Sequence, residues 1–177
     1  MAKMQIKGLA SYEQAISRLE RRLKDEVIGE ALYDGAKILA DAIREDIEGL
    51  ETDDRSFTAD GGKLKGPKTV QVYGLLDSLG VARMRNDLGV YDVKVGFDGY
   101  NKVRTKRWPK GQPNQMVARS IERGTSFMDA QPVFKRTVSR LRGTVQDVMG
   151  KSVEKSIDRI MKKKNRDEFW YSEFKPG

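Results

Sequence analysis

The sequence contains no cysteine and no histidine. The absence of cysteine excludes disulfide bonds and thiol nucleophiles, and the absence of both residues excludes the usual zinc ligand sets and a Ser-His-Asp triad. No run of about 18 apolar residues is present, so we expect no segment that spans a bilayer. The N-terminus also lacks an apolar signal region, and we therefore expect the protein to be cytoplasmic at synthesis.

No other group of side chains indicates catalysis. Asp53 and Asp54 have no histidine to partner them, and the glycine and lysine residues at 61–63 and 66–68 lack the spacing and the following helix of a phosphate-binding loop. Metal ligands at a recognisable spacing are absent too. We expect no enzymatic activity, no cofactor and no metal site.

The composition is that of a charge-rich globular protein. Of the 177 residues, 38% are hydrophobic and 34% are charged, and the length favours a single domain with a core of its own. Lysine and arginine number 34 against 26 acidic residues, which gives a net charge of +8. Such a balance favours nucleic acid or acidic protein surfaces as partners, and the alternative is a solvated basic surface.

Apolar residues recur at helical spacing along two long stretches, residues 27–47 and 133–161. A shorter pattern precedes the first and opens with a capping box formed by Ser11 and Gln14. Gly35 costs about 1 kcal/mol relative to alanine inside a helix, which predicts close packing against the C-terminal helix or the sheet. The C-terminal helix is long enough that its distal half needs a partner, either the first helix or another subunit.

The middle of the chain predicts a small antiparallel sheet. Residues 81–85 and 90–97 read as two strands of a hairpin around a turn, with Tyr91, Val93, Val95 and Phe97 facing the core. Residues 113–123 favour a short helix, with a strand as the alternative. The prediction is therefore an α+β fold, an antiparallel β-sheet flanked by a long N-terminal and a long C-terminal helix, in one domain over residues 1–164.

Two connecting segments differ from the rest of the chain. Residues 50–72 show no periodicity, and we predict a mobile loop that is either disordered or becomes ordered on a neighbouring subunit. The segment 100–112 carries basic residues beside aromatic ones and no acid, a pattern that suits a nucleic-acid backbone with a stacking base. The alternative for this basic loop is a solvated loop in which Trp108 covers the core. Its candidate contacts are Lys102, Arg104, Lys106, Arg107 and Trp108.

The chain ends in an aromatic C-terminal tail, residues 165–177, which follows a lysine-rich stretch. Tryptophan and tyrosine are frequent anchors of protein interfaces, so we expect this tail to dock on a neighbouring subunit rather than to cover its own core. The residues that would dock are Phe169, Trp170, Tyr171 and Phe174.

The segment 121–134, which reads IERGTSFMDAQPVF, ends one element, makes a turn and starts the C-terminal helix. Gly124 suits a positive φ, the hydroxyls of Thr125 and Ser126 can bond the local backbone, and Pro132 stands where a missing N–H has no cost. Glu122 is expected to accept backbone N–H groups or to pair with a basic residue. A simple turn before a helix is the alternative.

This pattern resembles the tail-component family of long-tailed phages and prophages. The Glu-x-Gly-Thr-Ser turn, the Ala-Gln-Pro stretch and the following aromatic residue match the family, as do the opening IKGL at 6–9 and GLLDSL at 74–79. Tyr73 and Arg123 depart from the usual residues of the family. The turn residues of the resemblance are Glu122, Gly124, Thr125, Ser126, Gln131, Pro132 and Phe134.

The resemblance implies a structural virion protein that acts in tail completion or head–tail joining, as a subunit of a ring at the head–tail interface. The implied partners are further copies of the chain, with a hexamer suggested, together with the connector or stopper and the tail-tube or terminator proteins of the phage. DNA passing through the channel is a further contact, and no membrane is involved. The implied location is the virion tail or neck, after assembly in the host cytoplasm. The alternative function is a basic nucleic-acid-binding module that uses the loop 100–112.

Overall fold

The computed structural model describes residues 21–58, 61–87 and 89–173, apart from the side chains of residues 21, 22, 86, 87 and 164–173. Four helices occur in these ranges, α1 (Arg21–Glu48), α2 (Thr69–Ser78), α3 (Asn114–Arg123) and α4 (Val133–Glu173). Four short strands are β1 (Leu79–Val81), β2 (Arg85–Asp87), β3 (Val90–Asp92) and β4 (Val95–Phe97). The predicted α+β fold is confirmed, and the predicted capping box at Ser11 and Gln14 lies outside the described residues.

The two long helices pack against each other in antiparallel order. The middle of α1 packs on the first half of α4 at Gly35, where an added Cβ would lie 2.6 Å from Cγ of Met149 and 3.1 Å from Cγ1 of Val145. The predicted close packing at Gly35 is therefore confirmed, and α4 rather than the sheet is its partner. A small apolar core lies between the two helices, from Gly35 toward the N-terminus of α1. It is formed by Val27, Ala31, Val145, Met149 and Val153.

Polar bonds fix the register of the same pair. The Ser152 hydroxyl donates to Asp34 at 2.6 Å, and the Thr137 hydroxyl donates to Asp46. Glu30 accepts from Ser156 and from Arg159, and these donors lower the pKa of its carboxyl group from the ordinary value. A helix that slid by one turn would break all of these bonds together, so they define one alignment of α1 and α4.

The strands form one interrupted hairpin. β1 pairs antiparallel with β4 in the register Gly80 to Gly96, and β2 pairs antiparallel with β3 in the register Asn86 to Tyr91. The predicted hairpin is present, but both predicted strands are divided. Residues 82–84 of the predicted strand 81–85 lie between β1 and β2, and the predicted strand 90–97 is divided at residues 93–94. The amide of Ala82 donates to the carbonyl of Lys94 at 2.8 Å across that division, which keeps the two halves aligned.

The main core lies where the C-terminal half of α1 meets α2, α3 and the hairpin. Ile47, Leu75 and Ile121 have no exposed surface, and one comes from each of the three helices. Val95 and Phe97 of β4 pack on this cluster, as predicted for the inward face of the hairpin. Burial of about 1.5–3 kcal/mol per large apolar side chain makes this cluster the main stabilising element of the fold.

Two predicted boundaries need correction. Residues 69–72 belong to helix α2 rather than to the predicted loop 50–72, because the N–H of Lys68 bonds the Gln71 side chain at 2.8 Å and the helix starts at Thr69. The backbone of α4 continues to Glu173 and so includes most of the predicted tail 165–177. No glycine or proline lies between Gly150 and Glu173 to end the helix sooner.

Candidate functional site

The turn segment 121–134 joins α3 to α4. The side chain of Glu122, near the end of α3, caps the start of α4. Its carboxylate accepts the backbone N–H of Phe134 at 3.0 Å and that of Lys135 at 3.1 Å. These amides lie in the first turn of α4, where N–H groups have no partner within the helix and a negative charge is favoured. The expectation that Glu122 accepts backbone N–H groups is confirmed. Pro132 directly precedes this helix.

Gly124 makes the reversal after α3. Its φ is 70°, and an added Cβ would lie 3.0 Å from the amide nitrogen of Ala130 and 3.1 Å from the carbonyl oxygen of Met128. The N–H of Thr125 donates to that Met128 carbonyl at 2.9 Å and closes the turn. The Thr125 hydroxyl accepts a long bond from the N–H of Phe127. The Ser126 hydroxyl, for which we predicted a similar bond, has no partner among the described residues.

Gln131 connects the turn to the segment 50–68. Its side-chain oxygen accepts the N–H of Glu51 at 3.0 Å, and its side-chain nitrogen donates to the carbonyls of Glu51 at 2.8 Å and Lys65 at 3.1 Å. The backbone N–H of Gln131 donates to the carbonyl of Ile121 at 2.8 Å. A single glutamine therefore ties together the end of α3, the start of α4 and two points of a distant loop.

The loop is held at further points by its acidic residues. The carboxylate of Asp53 is buried and accepts from the Arg55 side chain at 2.7 Å and from the N–H of Lys65 at 3.1 Å. These donors hold the pKa of the Asp53 carboxyl well below its usual range. Asp54 accepts from the hydroxyl and the N–H of Thr69. The sequence interpretation missed both roles, because single aspartates in a non-periodic stretch carry no signal of their partners.

A parallel backbone bridge between Leu64 and Met128 adds a further contact between the loop 50–68 and the turn segment 121–134. The N–H of Leu64 donates to the Phe127 carbonyl and its carbonyl accepts the N–H of Asp129, both at 2.9 Å. On the other side, Phe134 packs on Phe97 of the hairpin with ring centroids 5.4 Å apart. The turn residues of the resemblance thus meet the loop on one side and the sheet on the other.

The basic loop 100–112 is anchored at its base and open at its tip. Asn101 is buried and bonds Gln112 through its backbone N–H, and Gly111 stands so close to the Asn101 carbonyl that no side chain fits there. Thr105 and Trp108 exchange backbone bonds in the outer turn. The Arg107 guanidinium lies 5.6 Å from the centroid of the Trp108 ring.

The cations of this loop face solvent. The side chains of Lys102, Arg104, Lys106 and Arg107 are exposed, and none of them forms an ion pair with another described residue. Trp108 is half-buried. The candidate contacts are therefore brought together on one loop, away from the turn at 121–134. For the predicted docking residues Phe169, Trp170, Tyr171 and Phe174, side-chain positions lie outside the described residues.

Within the described ranges, no group of three or more acidic side chains could hold a metal ion. No helix in the same ranges is both long enough and apolar enough to cross a membrane. No protein-family model, no curated protein and no solved structure matches the chain.

Proposed function

We propose that this chain is a structural protein of a phage virion that acts in tail completion or head–tail joining, as a subunit of a closed ring and without catalytic activity. The observation that carries the proposal is the role of the turn residues. Glu122, Gly124 and Gln131, which carry the sequence resemblance, each hold backbone segments together. None of the three presents a reactive group beside a second one.

A turn that is bonded to several elements in this way suits a subunit that must keep its shape between neighbours. The turn bonds the loop 50–68, the helix α3 and the helix α4, and packs on the hairpin through Phe134. Closed cyclic symmetry is the simplest way for identical subunits to surround a channel. The proposed partners are further copies of the chain, in a hexamer or a related ring, and the connector or stopper and tail-tube or terminator proteins on either side.

Native mass spectrometry over a wide protein concentration range tests the ring. A discrete closed oligomer, with a hexamer the expected species, supports the proposal. A monomer at all concentrations and in the presence of isolated tails or heads would contradict it. The proposed location is the virion tail or neck, with assembly in the host cytoplasm.

The second candidate is a nucleic-acid-binding module, and the exposed cations beside Trp108 favour it. If all five cations of residues 100–112 met phosphates of double-stranded DNA, the slope of log affinity against log salt should be about −4 to −5. Replacing Lys106 and Arg107 by alanine should then weaken DNA binding and reduce that slope. Under the ring proposal, the same variant assembles as the parent does.

A further inference from the structure

A groove opens between the helix pair, the hairpin and α3, and no residue of the loop 50–68 lines it. Its volume is about 930 Å³, at the upper end of the range of about 300–1,000 Å³ that is usual for ligand pockets. The apolar lining comes from four elements, with Leu39 on α1, Val95 on β4, Met116 on α3 and Val138 on α4. A concave site of this size with apolar walls can receive large apolar side chains.

The charged groups around the groove define what that partner carries. Arg119, Arg123 and Lys135 lie at its edge with exposed side chains, and none forms an ion pair with another described residue. The edge acid Glu122 is already occupied by the first amides of α4. Inside, Oδ1 of Asp92 is buried without a hydrogen-bond partner among the described residues and needs a donor. The fitting occupant is apolar, acidic at its margins, and carries an N–H or O–H donor.

The chain contains a segment of this chemistry at residues 167–174, which read DEFWYSEF. Three acids flank four aromatic residues, and the indole of Trp170 and the hydroxyl of Tyr171 are donors that can accompany an aromatic ring into an apolar site. We propose that the C-terminal segment 167–174 of one copy docks in the groove of a second copy. The inference rests on the proposed function in one respect, since it requires copies of the chain to be neighbours.

The geometry of α4 assigns the segment to another copy. Val138 lines the groove, and Phe169 follows it by 31 residues along one continuous helix, Val133–Glu173. At about 1.5 Å per residue, the two positions are about 47 Å apart along the axis. Residues 167–173 therefore lie far from the groove of their own copy.

Docking of this kind joins two different surfaces, the end of α4 on one copy and the groove on the next. Such a head-to-tail contact generates a ring when the rotation between neighbours closes, and an open filament when it does not. The proposal therefore gives the ring a specific interface: aromatic anchors enter the groove and ion pairs form at its edge.

Disulfide trapping tests the proposal directly, because the chain has no cysteine of its own. One variant carries Tyr171→Cys and a second carries Met116→Cys in the groove, and the two proteins are mixed at high concentration under mild oxidation. The expected product is a covalent pair of one copy of each. The matched control replaces Met116→Cys by Tyr73→Cys, since Tyr73 is 62% exposed on α2 and outside the groove, and should yield at least tenfold less product.

A charge exchange supplies a second measurement that keeps the fold intact. Arg119→Glu with Lys135→Glu changes only exposed side chains and should weaken self-association at least tenfold, whereas Asp167→Lys with Glu168→Lys in the partner copy should restore it. Either absence of the mixed disulfide above the control or unchanged association of the charge variant overturns the inference. A closed ring without the trapped pair would contradict this interface but not the proposed ring. Trapped pairs in a protein that is absent from virions would contradict the proposed function but not the interface.

Discussion

Replacing Glu122 by alanine should loosen the start of α4. The change removes the carboxylate that accepts two backbone N–H groups, those of Phe134 and Lys135. Loss of a helix cap costs about 0.5–2 kcal/mol, and loss of a negative charge at a helix N-terminus adds about 0.3–1 kcal/mol. We therefore expect a decrease of about 2 kcal/mol in the free energy of unfolding. For a chain of this length, that corresponds to a decrease in Tm of about 4–8 °C.

A graded series separates this cause from a general effect of mutation. Glu122→Gln keeps one oxygen acceptor and loses the charge, so it should cost about half as much as Glu122→Ala. The matched control is Glu45→Ala on α1, because Glu45 is exposed and makes no side-chain bond among the described residues. It should stay within about 0.5 kcal/mol of the parent.

Chemical denaturation of the three variants gives the free energies, and amide hydrogen exchange locates the change. The amides of Phe134 and Lys135 should lose protection in Glu122→Ala before the middle of α4 does. A loss below about 0.5 kcal/mol for Glu122→Ala, or equal losses for the alanine and glutamine variants, would refute the capping role.

Three further predictions concern the packing and the electrostatics of the same fold. Gly35→Ala should destabilise the protein by about 1–2 kcal/mol through overpacking on Met149, and in a Met149→Ala background it should become neutral or stabilising, since the helix propensity gain of about 1 kcal/mol then dominates. Gly66→Ala should cost at least about 2 kcal/mol, because its Cβ would overlap the carbonyl oxygen of Glu51, which is backbone and cannot move aside. The depressed pKa of Asp53 favours the charged carboxylate in the folded state. The stabilising contribution of this carboxylate is complete above about pH 5 and is lost as the pH falls below about 4. The Tm difference between the parent and Asp53→Asn should therefore shrink from pH 7 to pH 3.

Thermal and chemical denaturation provide the readouts for these changes. Gly80→Ala is the control for Gly66→Ala, because an added Cβ at Gly80 meets no atom within 4 Å and its φ is not positive. Equal effects of the two alanine variants would contradict the steric explanation. For Gly35, a double-mutant coupling near zero would show that Met149 is not the group that limits space.

Much of this fold was predictable because its signals are periodic and local. The apolar pattern of residues 27–47 and 133–161 defined both long helices, and Gly35 within the first pattern indicated the close contact that α4 makes. The positive φ at Gly124 was equally predictable, because few residues other than glycine adopt a φ of 70°.

The parts that the sequence did not reveal depend on long-range partners. Nothing beside Asp53 or Gln131 shows that Lys65 and Glu51 complete their bonds, so the segment 50–68 was interpreted as mobile although it bonds the rest of the domain at several points. The division of the strand at 93–94 had no local signal either. The groove is built from four elements at once, and no single stretch of sequence indicates such a space.

The most direct test of the proposed function is microscopy of particles made by a phage that carries this gene and by its deletion mutant. We expect the deletion to accumulate separate heads and tails, or tails without a finished end, and the purified protein added to that lysate to restore joined infectious particles. Glu122→Ala protein should restore fewer particles than the parent at elevated temperature, and the Glu45→Ala control should restore as many. Normal, joined particles from the deletion mutant would contradict the proposed role of this chain.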